Sequence, residues 1–368
     1  MTPTGLSVVL LTSARTWRGS SVSLAEIARG LRESGHRVHL LAGDEAVVDG
    51  FTRLGLPASR VPTGNTGLRE AGALVRVLRT QGAHAILVDR PRDLRLAALA
   101  SVVHPLAIVN CYNLSRSRPP LDLLSRLAYR RVGLTIFVSE TSAARVLALA
   151  RYIRRRPYRV IHNGVDAGEF RPDAAAAAAF RAAYGLADRP FVLAVGSLTP
   201  DKRYDFLLEV WARLGAPAPP LVACGAGPLG ARLRDRARDL GADVRFVGQL
   251  DPETLRGAYA AATCFVHAGA VETFGLSVLE AMASGVAVLA VRGGAVPEVV
   301  GEAGELAPAE DAGAFATQLR GLLADGRRRA ALGAAARRRV LDQFSLERMR
   351  AGYVSALADV CAQCASPS

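Results

Sequence analysis

The residues best suited to chemistry sit in one stretch, where Glu272 and Glu280 stand eight positions apart in Glu272-Thr-Phe-Gly-Leu-Ser-Val-Leu-Glu280. The pattern predicts a strand over Ala262–His267, a loop over Ala268–Thr273, a helix over Phe274–Ser284 stopped by Gly285, and a strand over Val286–Val291. Glu272 would then precede the helix N-terminus, where the amides of Phe274, Gly275 and Leu276 lack intrahelical acceptors. Unpaired amides at the positive end of a helix dipole favour an anion, phosphate being the obvious one. Glu280, one turn into the helix, could accept hydrogen bonds from hydroxyls of whatever carries that phosphate. Two carboxylates for hydroxyls and an amide cluster for phosphates suit a sugar nucleotide. An acid-capped helix with a solvated Glu would show the same spacing. The Phe-Gly between the carboxylates and the Ala-Met-Ala-Ser-Gly after them are what set this stretch apart.

The elements that must position these groups alternate along the chain. Strands are expected at Val8–Leu11, Val38–Ala42, Ala85–Val88, Leu106–Val109 and Leu134–Val138, between helices such as Ser23–Glu33, Gly67–Gln81 and Thr141–Ala150. After a connector over Glu169–Ala187 the rhythm resumes with strands Phe191–Val195, Leu221–Cys224 and Val244–Val247, and closes with helices Asp311–Leu323 and Arg328–Phe344. Such alternation predicts an α/β chain of doubly wound parallel sheets, with ligands gathered at the carboxyl ends of the strands. A length of 368 residues is enough for two domains with separate cores.

The run from Glu272 through Ala-Met-Ala-Ser-Gly-Val-Ala-Val resembles the E-x7-E block of the retaining GT-B glycosyltransferases of the GT4 family, the glycosyl transferases group 1. The resemblance implies two Rossmann-like domains facing a central cleft: an acceptor domain over 1–172, a donor domain over 173–345, and a crossover helix and tail over 346–368. It implies that Glu272 contacts hydroxyls of the transferred sugar and Glu280 those of the ribose, with Phe274, Gly275 and Leu276 at the phosphates. Gly196-Ser197 and Lys202 align with the Gly-Arg and Lys that grip the donor diphosphate in the family, and Leu250 lies in the region set against the base. Ser197 stands where Arg is common. Lys202 is the single lysine beside 45 arginines, and a compact ammonium suits a leaving diphosphate. Glu272 and Lys202 are therefore the expected catalytic pair. Gly19, Asn113 and Arg116 are the acceptor-side candidates. Asn113 occupies a position that is His in many members, and Asn cannot take a proton near neutral pH. Gly19 stands where the family usually has two adjacent glycines. No D-x-D triplet occurs, so the expectation is a metal-independent transferase whose nucleotide-diphosphate sugar is a co-substrate, with no other cofactor.

Gly225-Ala-Gly-Pro-Leu-Gly230 also reads formally as the dinucleotide fingerprint G-x-G-x-x-G, which leaves a nicotinamide-dependent oxidoreductase as one alternative. A weakened paralogue that binds a sugar nucleotide without transferring it is the other, prompted by Asn113 and Ser197. Charge is uneven: 25 arginines face 12 acidic residues through Pro172, whereas 21 basic and 21 acidic residues follow. The excess gathers in Arg116–Arg131 and Arg145–Arg159. There it interleaves with Leu121, Leu123, Leu124, Leu127 and Tyr129, and with Val146, Leu147, Leu149, Tyr152 and Ile153. Apolar residues beside clustered Arg fit an anionic membrane surface better than nucleic acid, which would need stacking aromatics or a known binding fold. The expected partners are thus a nucleotide sugar, a lipid-linked or saccharide acceptor and an anionic membrane surface. Leu6–Leu11 reads as a first strand rather than a signal peptide, and five cysteines read as reduced thiols with no zinc site at Cys361 and Cys364. The expected setting is cytoplasmic, at the inner membrane face.

Overall fold

The computed structural model describes residues 5–17, 19–112, 122–215 and 217–365. The chain divides into two compact units, one comprising the chain up to Gly164 plus the segment from Leu346, the other spanning Val165–Ser345. The first division thus falls ahead of Pro172. Val165 pairs with Ser345, and Arg337 donates to the carbonyls of Ala167 and Phe170, which binds this stretch to the second unit.

The first unit runs β1 (Ser7–Thr12), α1 (Gly19–Glu33), β2 (Arg37–Ala42), α2 (Glu45–Arg53), β3 (Ala58–Arg60), α3 (Leu68–Gln81), β4 (Ala85–Val88) and α4 (Pro91–Ala100). It continues with β5 (Ala107–Tyr112), α5 (Leu123–Tyr129), β6 (Val132–Phe137), α6 (Glu140–Leu149), α7 (Arg151–Arg154) and β7 (Tyr158–Val160). The strands form one parallel sheet in the order β3-β2-β1-β4-β5-β6-β7. β1 is buried at every residue, because helices cover both faces of the sheet. Val8 and Leu10 face a core with Leu24, Ile27 and Leu31 of α1, while Val9 and Leu11 face a second core with Leu74, Leu78 and Leu94. α1 begins at Gly19, ahead of the expected Ser23, so Gly19 opens a helix rather than sitting inside a loop.

The second unit runs α8 (Ala174–Ala183), β8 (Val192–Val195), a 3-10 turn (Pro200–Lys202), α9 (Tyr204–Leu214), β9 (Leu221–Cys224), α10 (Gly230–Asp239), β10 (Val244–Gly248) and α11 (Pro252–Ala261). Then come β11 (Cys264–His267), α12 (Leu276–Ala283), β12 (Val288–Val291), α13 (Val296–Val300), β13 (Glu305–Ala307), α14 (Ala312–Ala324) and α15 (Gly326–Gln343). Its sheet is parallel, in the order β10-β9-β8-β11-β12-β13. The last helix, α16 (Leu346–Ala365), belongs to the first unit. Met349, Tyr353, Leu357 and Val360 enter its core, the Cys111 thiol lies 3.0 Å from the Tyr353 hydroxyl, and Arg350 pairs with Glu26 and Glu33 of α1. Among the described residues no helix is long and apolar enough to cross a membrane.

Candidate functional site

In a doubly wound sheet the order of strands reverses at one point, and the crevice outside the carboxyl ends there is the place for a ligand. In the second unit that point lies between the neighbours β8 and β11. The loops after these strands carry Lys202 and Glu272, whose side chains form an ion pair with only 22% and 12% of their surfaces exposed. Lys202 closes the 3-10 turn, and its methylenes lie against the bare face of Gly196. Glu272 is held by its backbone: its carbonyl accepts from the Ala295 amide at 2.9 Å, and the missing Cβ of Gly294 admits the Glu272 main chain.

His267, the last residue of β11, completes the arrangement. Its Nε2 lies 3.5 Å from Glu272 Oε1 and has no hydrogen bond. Burial is the main cause that lowers its imidazolium pKa to about 4; the nearby Lys202 charge acts the same way and Glu272 opposes it. At neutral pH His267 is therefore an uncharged neighbour of the Lys202–Glu272 pair. Sequence reading passed it over, because one His at the end of an apolar strand looks like a core residue.

α12 starts at Leu276, two residues later than expected, with Gly275 before it in the left-handed region at φ +95°. Val278 and Leu279 already bond back to the Gly275 carbonyl, so the amides that head the helix are those of Leu276 and Ser277. The Phe274 side chain is buried, with its ring centroid 5.8 Å from that of Phe344, so it anchors the loop to the core. Glu280 lies within α12 and accepts a 2.7 Å hydrogen bond from the Tyr259 hydroxyl of α11. Desolvation raises its pKa to about 7, against the opposing pull of that bond.

Ser197 is exposed and shares a 3.0 Å hydroxyl contact with Thr199. Leu250 lies in the turn between β10 and α11. The Gly225–Gly230 loop has a clear structural duty. A Cβ on Gly225 would stand 2.0 Å from the Gly196 carbonyl oxygen, and one on Gly227 2.5 Å from that of Leu198. Those glycines admit the 196–198 backbone, and the loop is tied there by Leu198 N–H to Ala226 O and Leu229 N–H to Leu198 O at 3.0 and 3.1 Å. They brace the strand end that carries Lys202, where a dinucleotide fingerprint would keep that space for pyrophosphate.

In the first unit the sheet reverses between β1 and β4, and two buried carboxylates meet there. Asp93 accepts from the Ser13 amide at 2.8 Å, and neither oxygen of Asp89 has a hydrogen-bond partner among the described residues. Burial raises Asp89 to about 6 and Asp93 well above the usual range, the latter further raised by the Asp89 charge. The signal was an Asp-Arg-Pro-Arg-Asp run directly after a strand. Gly19 stands beyond β1, while Asn113 and Arg116 lie outside the described residues.

Two doubly wound parallel-sheet units, the second with its polar groups at the switch point, define the GT-B class of fold. Residues 178–339 match the family model for Glycosyl transferases group 1, and residues 17–169 that for Glycosyltransferase Family 4. A GDP-mannose-dependent alpha-(1-6)-phosphatidylinositol monomannoside mannosyltransferase of Mycobacterium tuberculosis is 32% identical over 274 residues, 69% of each chain. The chain belongs to the GT4 family of glycosyltransferases. The protein of the same description from Mycolicibacterium smegmatis is 36% identical over 243 residues, and this match spans 60% of the chain but only 62% of that relative's length. In fold the chain is similar to Anabaena HepE crystallised with UDP, with a TM-score of 0.84 and 19% identity over 96% of this chain and all of that one.

Proposed function

We propose that the chain transfers a hexose-type sugar from a nucleotide diphosphate to an acceptor hydroxyl with retention of anomeric configuration. The observation that carries this reading is the meeting of Lys202 and Glu272 at the switch point, beside the amides that head α12. The bond between the anomeric carbon and the diphosphate breaks as the bond to the acceptor oxygen forms on the same face, and the acceptor proton passes to the leaving phosphate. Charge grows on that phosphate, where Lys202 and the α12 amides meet it. Glu272 orients the sugar and Glu280 holds the ribose hydroxyls.

A mannosyl donor is supported by the relatives named for GDP-mannose, and a uridine nucleotide by the structure holding UDP. The same relatives' names support a lipid-linked, phosphate-bearing acceptor. An exposed apolar face on α5 beside arginines supports a place at an anionic membrane surface. The test is a thermal-shift screen against sugar nucleotides, followed by a transfer assay with the donor that stabilises most. A ligand at a hundred times its dissociation constant adds about 2.7 kcal/mol. No stabilisation by any sugar nucleotide would defeat the reading. Stabilisation without turnover would favour the weakened paralogue that Ser197 brings to mind.

A further inference from the structure

β11 enters the core of the second unit with Cys264 and Val266 and ends on His267, which is only 3% exposed. A polar atom at that depth has given up water and is ordinarily paired. His267 Nε2 is not. It has no hydrogen-bond partner among the described residues, and its 3.5 Å separation from Glu272 Oε1 is longer than a hydrogen bond. Gly269 keeps the atom uncovered, since a Cβ there would stand 2.8 Å from Nε2. The Glu272 oxygen that Nε2 faces is the one that Lys202 holds. An unpaired ring nitrogen therefore looks onto the ion pair at the switch point.

Burial keeps the ring uncharged at neutral pH, so it neither repels Lys202 nor competes with it for a diphosphate. An uncharged imidazole has one donor and one acceptor nitrogen, and a hydroxyl can both donate and accept. A hydroxyl can thus satisfy Nε2 in either tautomer. Ionised Glu272 Oε1 only accepts. When a diphosphate draws the Lys202 ammonium away, Oε1 loses its donor while Nε2 still has no partner, and one hydroxyl between them satisfies both. A phosphate oxygen would not, because it would meet the like charge of Glu272.

We infer that His267 is a specificity-determining contact for the transferred sugar, one of whose hydroxyls sits between its Nε2 and Glu272 Oε1 in the place the Lys202 ammonium vacates. This role rests on the glycosyl-transfer reading, to which it adds how one sugar is told from another. A carboxylate alone accepts from any hydroxyl in reach. A hydroxyl that must meet two fixed atoms is fixed in direction, so its epimer misses one of them. A sugar without that hydroxyl leaves Nε2 buried and unpaired, the condition under which a site rejects an analogue most strongly.

Calorimetry on the full chain compares UDP-glucose and GDP-mannose, the monodeoxy analogues of whichever binds, and free UDP and GDP. His267→Leu should weaken the sugar nucleotide about fivefold, the scale of one hydrogen bond, and leave UDP and GDP unchanged. His267→Gln, whose amide can still meet a hydroxyl, should lose less. In the wild type one deoxy analogue should bind worse than its parent. In His267→Leu that penalty should shrink by a similar factor, because groups that share a contact do not act additively. A packing role alone would leave the deoxy penalties as they were. Gly269→Ala is the second variant, since it keeps the imidazole and covers Nε2. It should show the same selective loss, so the test survives a His267→Leu chain that does not fold. Equal weakening of sugar nucleotide and nucleotide, or deoxy penalties identical in wild type and variants, overturns the role of His267. A wild type that binds neither sugar nucleotides nor nucleotides defeats the glycosyl-transfer reading and this role with it. Sound donor binding with unselective variants removes His267 alone.

Discussion

Lys202 and Glu272 are each other's partners in the structure, so in the proposed function a diphosphate that takes Lys202 would free Glu272 for the sugar hydroxyls. This gives the two carboxylates different signatures. Glu280→Ala should weaken sugar nucleotide and free nucleotide alike, by about 1.5–3 kcal/mol, the usual scale for a hydrogen bond to a charged group. Glu272→Ala should weaken only the sugar nucleotide, and should leave the free diphosphate as tight or tighter because Lys202 is released. Titrations in which the two variants behave identically would refute these roles. Lys202→Ala should lower turnover more than donor affinity, since its charge counts most as the bond breaks. A second consequence concerns pH. Glu280 has its pKa raised to about 7 by desolvation, and in the proposed role only its ionised form would accept from both ribose hydroxyls. Nucleotide affinity should therefore rise with pH through about 7 and binding should release a proton, visible as a buffer-dependent heat. Glu280→Gln should remove both effects. The fold responds with the opposite sign: because the folded pKa is raised, the stability linked to protonated Glu280 is complete below the usual carboxylate range and is lost as pH climbs through 7. His267, driven down to about 4, stays uncharged in the binding profile above pH 5, but it does enter the stability profile: below about 6.5 the unfolded chain takes up a proton that folded His267 does not, so stability falls as pH drops from there toward 4.

Elements decide how accurately those side chains are held. Gly225→Ala should cost about 2 kcal/mol or more in urea unfolding, because its Cβ would lie 2.0 Å from the Gly196 carbonyl oxygen at a backbone φ of +140°. The same variant should also bind the donor more weakly, since the displaced 196–198 loop leads to Lys202; unchanged stability and affinity would show that the brace is not needed. This is also where sequence reading reached its limit. Strand–helix alternation sufficed for two parallel sheets, because a strand buried on both faces must be a continuous apolar run like β1. It also put Lys202 and Glu272 at carboxyl strand ends. It misjudged the start of α12 because Phe274-Gly275 carries helix-like neighbours, while the left-handed Gly275 and the pull of Phe344 on Phe274 are tertiary facts. Tyr259 escaped notice because its bond to Glu280 joins separate helices, α11 and α12. The G-x-G-x-x-G pattern left an alternative open for a related reason: a glycine needed for backbone approach looks the same whether the approaching group is a phosphate or a neighbouring loop.

Over the whole molecule, charge follows the division into units. The unit built from the chain through Gly164 and the segment from Leu346 carries 26 arginines against 12 acidic residues, while Val165–Ser345 has 20 basic and 21 acidic. The structure narrows what that excess can meet. Tyr129, Val146, Leu147 and Ile153, expected at an interface, are core residues: Tyr129 packs on Tyr152 with ring centroids 5.2 Å apart and takes a hydrogen bond from Asn110. Arg156 is also committed, to the carbonyls of Val132 and Arg130. Leu121, Arg116 and Arg118 lie outside the described residues. What stays on the surface is Leu149, exposed by 53% near the exposed Arg145 and Arg151, and Leu123, Leu124 and Leu127 of α5, exposed by 69%, 61% and 46%, beside Arg126, Arg130 and Arg131, which are exposed too. Val102 and Val103 are exposed next to Ser101, whose carbonyl and hydroxyl receive Arg131 at 3.5 and 3.4 Å. Three leucines on one short helix are too few to hold a bilayer by themselves, since each contributes on the order of 1.5–3 kcal/mol only when fully buried. Arginines near an anionic surface add about 1 kcal/mol apiece, and the two contributions together would make a reversible attachment. The unit should therefore sediment with vesicles containing anionic lipid and release as salt shortens the Debye length from about 10 Å at 0.1 M toward 3 Å at 1 M. Leu123→Ser/Leu124→Ser should weaken binding at every salt concentration, whereas Arg126→Ala/Arg130→Ala should weaken it at low salt and flatten the salt dependence. Equal sedimentation with neutral and anionic vesicles, or none with either, would leave α5 without a lipid partner and the acceptor in solution.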